Sequence, residues 1–221
     1  MISNRLITIA KNCLQYPYDL ADIGSDHGFL LLYLRENGFS YNLLGVENKK
    51  GPFNALKEHI ANSNYKDSIS LSFSDGLEDV NSNYKMIVMA GIGFDTIKSI
   101  VNKDISKLSS IDVFIIDSHT KVEETRRFFS QNGYKISKES IIFEDGIYYE
   151  IISFEKGIAS YSDEEYRYGP ILMKERSGIF IQKYIEKQKC LLNLLDRVNK
   201  NSKKYQDLEK EISELNSLLD L

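Results

Sequence analysis

The first two-thirds of the chain alternates short apolar runs with longer amphipathic stretches. The runs are DLADIG (19–24), LLGVEN (43–48), SISLSF (68–73), KMIVMAG (85–91) and DVFIID (112–117). Each is rich in Val, Ile, Leu or Phe and largely unalternating, as in strands covered on both faces. Helix-length segments at 28–37, 51–63, 94–102 and 121–132 lie around and between them. Strand–helix–strand repetition predicts a parallel sheet joined by right-handed crossovers. After 133 the pattern changes. YKISKESIIF and IYYEIISF flank a turn at Glu144-Asp145-Gly146, and Asp-Gly between two β-rich runs predicts a hairpin. The sheet therefore ends in an antiparallel pair, unlike a plain dinucleotide-binding sheet.

From about 157 the character changes again. Ser160 to Gly169 is polar and Tyr-rich and reads as a linker ending at Gly169-Pro170. Two helices follow, with a turn at Asn199 to Ser202. In the second, Tyr205, Leu208, Ile212, Leu215 and Leu219 form a heptad seam. In the first, Ile181, Tyr184, Leu191, Leu195 and Val198 keep the same period, with polar Gln188 in the seam. This predicts an antiparallel coiled-coil hairpin, although a dimer seam has the same spacing. The expected domains are 1–156 and 157–221.

Composition supports a globular chain: 42% of the 221 residues are hydrophobic, 27% are charged, and only 3 are Pro. The opening, MISNRLITIAKN, lacks a signal-peptide core, and no later run approaches a membrane span. Cys13 and Cys190 stand far apart and read as reduced core thiols of a cytoplasmic protein. With three His (His27, His59 and His119), they give no zinc pattern, and His59 reads as ordinary surface. The net charge of −4 hides an asymmetry. Residues 1–155 carry 16 Lys+Arg and 21 Asp+Glu, whereas 167–204 carries 10 and 3. A basic stripe on an acidic protein is a candidate phosphate footprint, and equally a solvated helix face.

Candidate chemistry collects at the ends of the predicted strands. The first runs into Asp22-Ile23-Gly24-Ser25-Asp26-His27-Gly28, a glycine turn at the carboxyl end of a strand, where doubly wound folds bind ligands. The spacing departs from GxGxxG. Acid beside a helix N-terminus repels a pyrophosphate but suits a ligand with an ammonium and a sulfonium, such as S-adenosylmethionine. Glu47 closes the second strand, where an acid accepts hydrogen bonds from ribose hydroxyls. Asp75-Gly76 follows the third and can accept from an adenine amino group. Ala90-Gly91-Ile92-Gly93 follows the fourth, and its small residues would line the space where donor and acceptor meet. Taken singly, Glu47 is also a candidate helix N-cap and Asp75 a turn residue. Four such signals on successive strands favour a methyltransferase site. His119, just past the fifth strand, lies near the expected acceptor, and a nucleophile elbow is missing.

The runs LADIGSDHGFL, GVENKKGPF, SDGLE, MAGIG and EDGIYYEI resemble the bacterial tRNA adenine-22 N1-methyltransferases across the whole chain. The resemblance implies an α/β Rossmann-like class I methyltransferase sheet with a C-terminal helical coiled-coil hairpin that helps hold tRNA. It implies S-adenosyl-L-methionine contacts at Arg5, Asp22, Gly24, Ser25, His27, Glu47, Asn48, Asp75, Gly76, Ala90, Gly91, Ile92 and Gly93, with Arg5 near the methionine carboxylate. Two runs depart from the family. Members typically read AGMGG where this chain has Ala90-Gly91-Ile92-Gly93-Phe94, and often a Gln-Pro-Asn-like run where it has Asp117-Ser118-His119. The implied partner is tRNA, with neither metal nor membrane, and the enzyme is expected to be a monomer.

N1 of neutral adenine carries a lone pair and no proton, so its methylation requires no strong general base. Asp26 is the candidate catalytic acid, placed near the adenine amino group to stabilise the developing cation. An alternative role for Asp26 is shaping the cofactor loop. The candidate tRNA contacts are Arg167, Lys174, Arg176, Lys183, Lys187, Lys189, Arg197, Lys200, Lys203 and Lys204, of which helical periodicity puts only some on one face. Two other readings stay open: a small-molecule methyltransferase with a dimerising tail, and a binding module with a vestigial pocket. The intact Asp22, Glu47 and Asp75 argue against the second.

Overall fold

A computed structural model describes residues 2–220. It opens with a helix, α1 (Asn4–Cys13), followed by β1 (Asp19–Ile23), α2 (Phe29–Glu36), β2 (Leu43–Glu47), α3 (Lys50–Ala61), β3 (Ile69–Phe73), β4 (Tyr84–Ile92), α4 (Phe94–Lys103), β5 (Val113–Ser118) and α5 (Val122–Gln131). β6 (Tyr134–Glu144) and β7 (Ile147–Lys156) form the expected hairpin. Its turn residues, Asp145 and Gly146, both have positive φ, +51° and +80°, as a tight two-residue turn requires. The strand order is β3-β2-β1-β4-β5-β7-β6. β1 to β5 are parallel neighbours, and β7 enters antiparallel between β5 and β6. The apolar runs of β1, β2 and β5 are buried almost throughout, which explains why they do not alternate.

α1 was not foreseen as an element. Ser3 caps it by accepting from the Leu6 amide at 3.2 Å. Ile9, Ala10 and Cys13 form its buried stripe. Glu144 at the hairpin tip accepts from the amides of Asn4 (2.7 Å) and Arg5 (3.3 Å). A carboxylate here suits the partial positive charge of the helix N-terminus.

The segment expected to be a linker holds another helix, α6 (Asp163–Tyr168), begun by a capping box between Ser162 and Glu165. Arg127 anchors α6 to α5, pairing with Asp163 at 2.8 Å and covering the Tyr166 ring at 4.4 Å. Beneath it, fully buried Arg126 donates to Glu139 of β6 (2.7 Å), to Glu150 of β7 and to the Tyr166 carbonyl of α6 (3.1 Å). A Cβ on Gly169 would lie 2.6 Å from the Glu139 carboxylate and 2.7 Å from the Arg126 guanidinium. These contacts carry the first compact unit to Gly169, beyond the expected boundary at 156.

The second unit starts at Pro170. It contains α7 (Pro170–Glu175), α8 (Gly178–Leu195) and α9 (Lys203–Leu219). Arg176, just before α8, donates to the Leu218 carbonyl at 2.6 Å, and Lys187 further along pairs with Glu211 at 2.7 Å, so the two long helices run antiparallel. Gln188 donates to Asn216 at 2.5 Å, which satisfies the polar side chain in the α8 seam. Tyr184, Leu208, Ile212, Leu215 and Leu219 are buried, whereas Leu191, Leu195 and Val198 towards the loop are half-buried. Cys13 is buried as expected, but Cys190 is exposed on α8. Among the described residues no helix is long and apolar enough to cross a membrane.

Removing one partner of a buried ion network leaves uncompensated charge, at a typical cost of about 3–5 kcal/mol. Arg126→Met is therefore expected to lower the stability seen in urea unfolding by about that amount. A loss below about 1 kcal/mol, the range of exposed pairs, would show that this network does not hold the hairpin to α5 and α6.

Candidate functional site

From β1 the chain moves outward to β2 and β3, and from the adjacent β4 it moves the other way to β5. The loops leaving β1 and β4 diverge, and doubly wound folds bind ligands in the crevice this creates. A cavity of about 480 Å³ opens there. The loops after β1, β2, β3 and β4 wall it, joined by Arg5 of α1 and His119 after β5.

Two carboxylates, Asp22 and Glu47, lie at its base on neighbouring strands, with only 5% and 7% of their surfaces exposed. Among the described residues neither has a cationic side chain in ion-pair contact. Burial pushes the Asp22 carboxyl up to about 7; the Ser25 hydroxyl offsets part of the rise and the Glu47 charge adds to it. Glu47 accepts from the Lys49 amide at 2.9 Å. Further out, Asp75 accepts from Asn48 at 2.8 Å and Lys103 at 2.9 Å. The hydrogen bonds from Lys103 and then Asn48 hold its carboxyl below the usual range.

The loop between β1 and α2 forms the rim. Asp26 adopts a left-handed backbone (φ +47°), a conformation that restricts most side chains. Its carboxylate is largely exposed and lies 3.6 Å from Nε2 of His27. His59, expected to be ordinary surface, donates from Nδ1 to the His27 carbonyl at 3.1 Å and packs against the His27 and Phe29 rings. It therefore pins the rim. Nδ1 of His27 is buried without a hydrogen-bond partner among the described residues.

The opposite wall is the end of β4. Gly91 interrupts the β4–β5 register as a bulge with φ +75°. A Cβ there would meet Nη1 of Arg5 at 3.3 Å and Nε2 of His119 at 3.4 Å. Arg5 donates to fully buried Asp117 at 2.8 Å and lies over the Tyr149 ring of β7 at 5.2 Å. Burial raises the Asp117 carboxyl and the Arg5 charge opposes that rise. The His119 ring meets the Tyr149 ring edge-on at 5.8 Å.

The structure brings Arg5, Asp22, Gly24, Ser25, Asp26, His27, Glu47, Asn48, Asp75, Gly76, Ala90, Gly91 and Ile92 into the one cavity. Gly93 is not among its lining residues; it is the N-cap of α4, with Thr120 close by. The sequence reading missed Phe29 and Thr96 in the lining, and Tyr149 behind it. Only Phe29, directly after the glycine turn, had a local signal. Among the described residues no group of three or more His, Cys, Asp and Glu is placed to hold a metal ion.

Of the basic residues in the tail, Arg176 is used internally, donating to the Leu218 carbonyl at 2.6 Å and pairing with Asp220. Lys187 pairs with Glu211 across the hairpin, and Lys183 is half-buried beside Tyr184. Lys174, Lys189, Arg197, Lys200, Lys203 and Lys204 are exposed. Arg167 is also exposed, but belongs to α6 in the first unit.

Comparison with known proteins agrees with this geometry. The family model described as tRNA (adenine(22)-N(1))-methyltransferase matches residues 20–217. The Bacillus subtilis tRNA (adenine(22)-N(1))-methyltransferase is 26% identical, over 99% of this chain and 97% of its own. The crystal structure of Streptococcus pneumoniae Sp1610 in complex with S-adenosyl-L-methionine is 28% identical, with a TM-score of 0.87 over 99% of this chain and 100% of its own. M. capricolum TrmK in complex with S-adenosyl-homocysteine is 27% identical, with a TM-score of 0.86 over 100% of this chain and 98% of its own. The chain belongs to the tRNA (adenine(22)-N(1))-methyltransferase family.

Proposed function

We propose that this chain methylates N1 of adenine 22 in tRNA, with S-adenosyl-L-methionine as donor. The observation that carries the reading is the pair of buried carboxylates, Asp22 and Glu47, without a cationic partner among the described residues, at the crevice of a family methyltransferase sheet. The residues fit the cofactor. Asp22 would hold its ammonium, Glu47 its ribose hydroxyls, and Asp75 with Asn48 its adenine. The unpartnered Nδ1 of His27 and the guanidinium of Arg5 suit its carboxylate. When bound, the cofactor supplies an electrophilic methyl group on a sulfonium centre.

The side chains then have to position and stabilise. Adenine N1 attacks with its own lone pair and the product is a cation, so the field around the acceptor matters more than a base. Asp26, exposed at the rim, would accept from the adenine amino group as positive charge develops. Ala90 and Gly91 leave room where donor and acceptor meet. The exposed basic residues of the tail, with Arg167, would contact the tRNA backbone.

Methyl-labelled cofactor is expected to label an unmodified tRNA transcript and to leave a transcript with adenine 22 replaced unlabelled. No label, with cofactor binding intact, would overturn the tRNA reading. In the same assay Asp26→Asn is expected to lower kcat by at least roughly tenfold, the scale of one hydrogen bond to a charged group, with cofactor affinity retained. An unchanged rate would remove Asp26 from catalysis.

Charge reversal of Lys200, Lys203 and Lys204 together is expected to weaken tRNA binding and to flatten its salt dependence, by about one unit of slope for each phosphate that is no longer neutralised. An unaltered slope would mean that these residues form a solvated face.

A further inference from the structure

The β6–β7 hairpin reaches past the edge of the sheet. β5 pairs with β7 no further than Asp117↔Ile151, and the residues from Ile147 to Glu150 pair only with β6. Because β7 runs antiparallel to β5, this overhang stands at the carboxyl end of the sheet, beside the cavity. Four residues at strand spacing project roughly 13 Å. The base of the overhang is fixed to the cavity wall, since the Tyr149 ring contacts both Arg5 and His119. Its tip is fixed to α1 by the Glu144 carboxylate, which accepts from the Asn4 and Arg5 amides. The connection is a two-residue turn.

This braced tip carries two large apolar side chains in solvent, Phe143 at 44% exposure and Ile147 at 51%. Phe143 pairs with Tyr148 and packs against its ring at 4.6 Å, and Ile147 pairs with Glu144, so alternation puts Ile147 on the face of Glu144 and Tyr149 and Phe143 on the opposite face of the hairpin. An exposed aromatic beside a nucleic-acid site is a stacking surface. N1 lies on the pairing edge of adenine, so the target base must leave its stack to enter the cavity, at a cost of a few kcal/mol. Proteins meet that cost elsewhere by inserting Phe, Leu or Ile side chains between neighbouring bases.

We propose that the tip of the β6–β7 hairpin is a wedge that enters the RNA stack beside the target adenine, with Phe143 stacking on a flanking base. The inference rests on the tRNA methylation reading above. Phe143 acts on the RNA and leaves cofactor binding alone.

The test compares the wild type with Phe143→Ala, Phe143→Leu and Phe143→Tyr on an unmodified tRNA transcript. KM for tRNA and kcat are measured, with the dissociation constant of S-adenosylmethionine measured separately. The Ala and Leu variants are expected to raise KM for tRNA about tenfold, the scale of removing one base–aromatic stack. Tyr is expected to stay within about twofold, because it keeps the ring. Cofactor affinity is expected to be the same in all four proteins. On transcripts made abasic at the nucleotides flanking the target, wild type and Phe143→Ala are expected to converge. If Phe143→Ala matches an active wild type on the intact transcript, the wedge is overturned and the activity stands. If the wild type transfers no methyl group to tRNA, the activity reading and the wedge fall together.

Discussion

A parallel sheet whose chain leaves two adjacent strands in opposite directions cannot cover the edge between them. In this protein those strands are β1 and β4, and the functional geometry follows from that constraint. The loop after β1 has to turn sharply into α2, which places Asp26 and Gly28 in left-handed backbone. The end of β4 bulges at Gly91, where the missing side chain leaves room for Arg5 and His119. Acidic residues that end β1 and β2 then face a cavity instead of a core.

That arrangement works against stability. Asp22 is nearly buried beside a second carboxylate, and that burial disfavours its charge and raises its carboxyl. A cation-bearing ligand would reverse the preference. The scaffold has to stay rigid while it holds this unpaired charge. It is braced by the apolar runs of β1, β2 and β5, and on the far side by Arg126 joining α5, β6, β7 and α6. The same hairpin reaches back to α1 through Glu144 and to the cavity through Tyr149. A single antiparallel insertion thus links the stability of the sheet edge to the acceptor wall.

The sheet was legible because strands covered on both faces write continuous apolar runs, and the Asp145-Gly146 turn has its own local signal. The acids that line the cavity were legible because Asp22, Glu47 and Asp75 stand at or just past the ends of successive strands. What escaped depends on distant pairing. Arg5 and Asp117 stand 112 positions apart, and no periodicity joins them. His59 looks like helix surface until α3 is packed beside the loop that carries His27. Tyr149 sits in an ordinary β-rich run, and only the antiparallel entry of β7 brings it to the cavity wall. The α6 helix did have a local signal, the Ser162–Glu165 capping box, hidden in a polar segment.

If Asp22 holds the cofactor's ammonium as proposed above, this buried carboxylate must lose a proton when the cofactor binds. Calorimetric titration of S-adenosylmethionine into the wild type and Asp22→Asn, between pH 5.5 and 7.5, tests it directly. Burial pushes the Asp22 carboxyl of the free protein up to about 7, and a bound ammonium would hold it ionised. Wild-type affinity should therefore be full at the upper end and weaken as pH falls through that value, by up to about tenfold per pH unit. Asp22→Asn should bind weakly, without that slope. A pH-independent wild-type affinity, or an Asn variant that binds as tightly, would contradict the account.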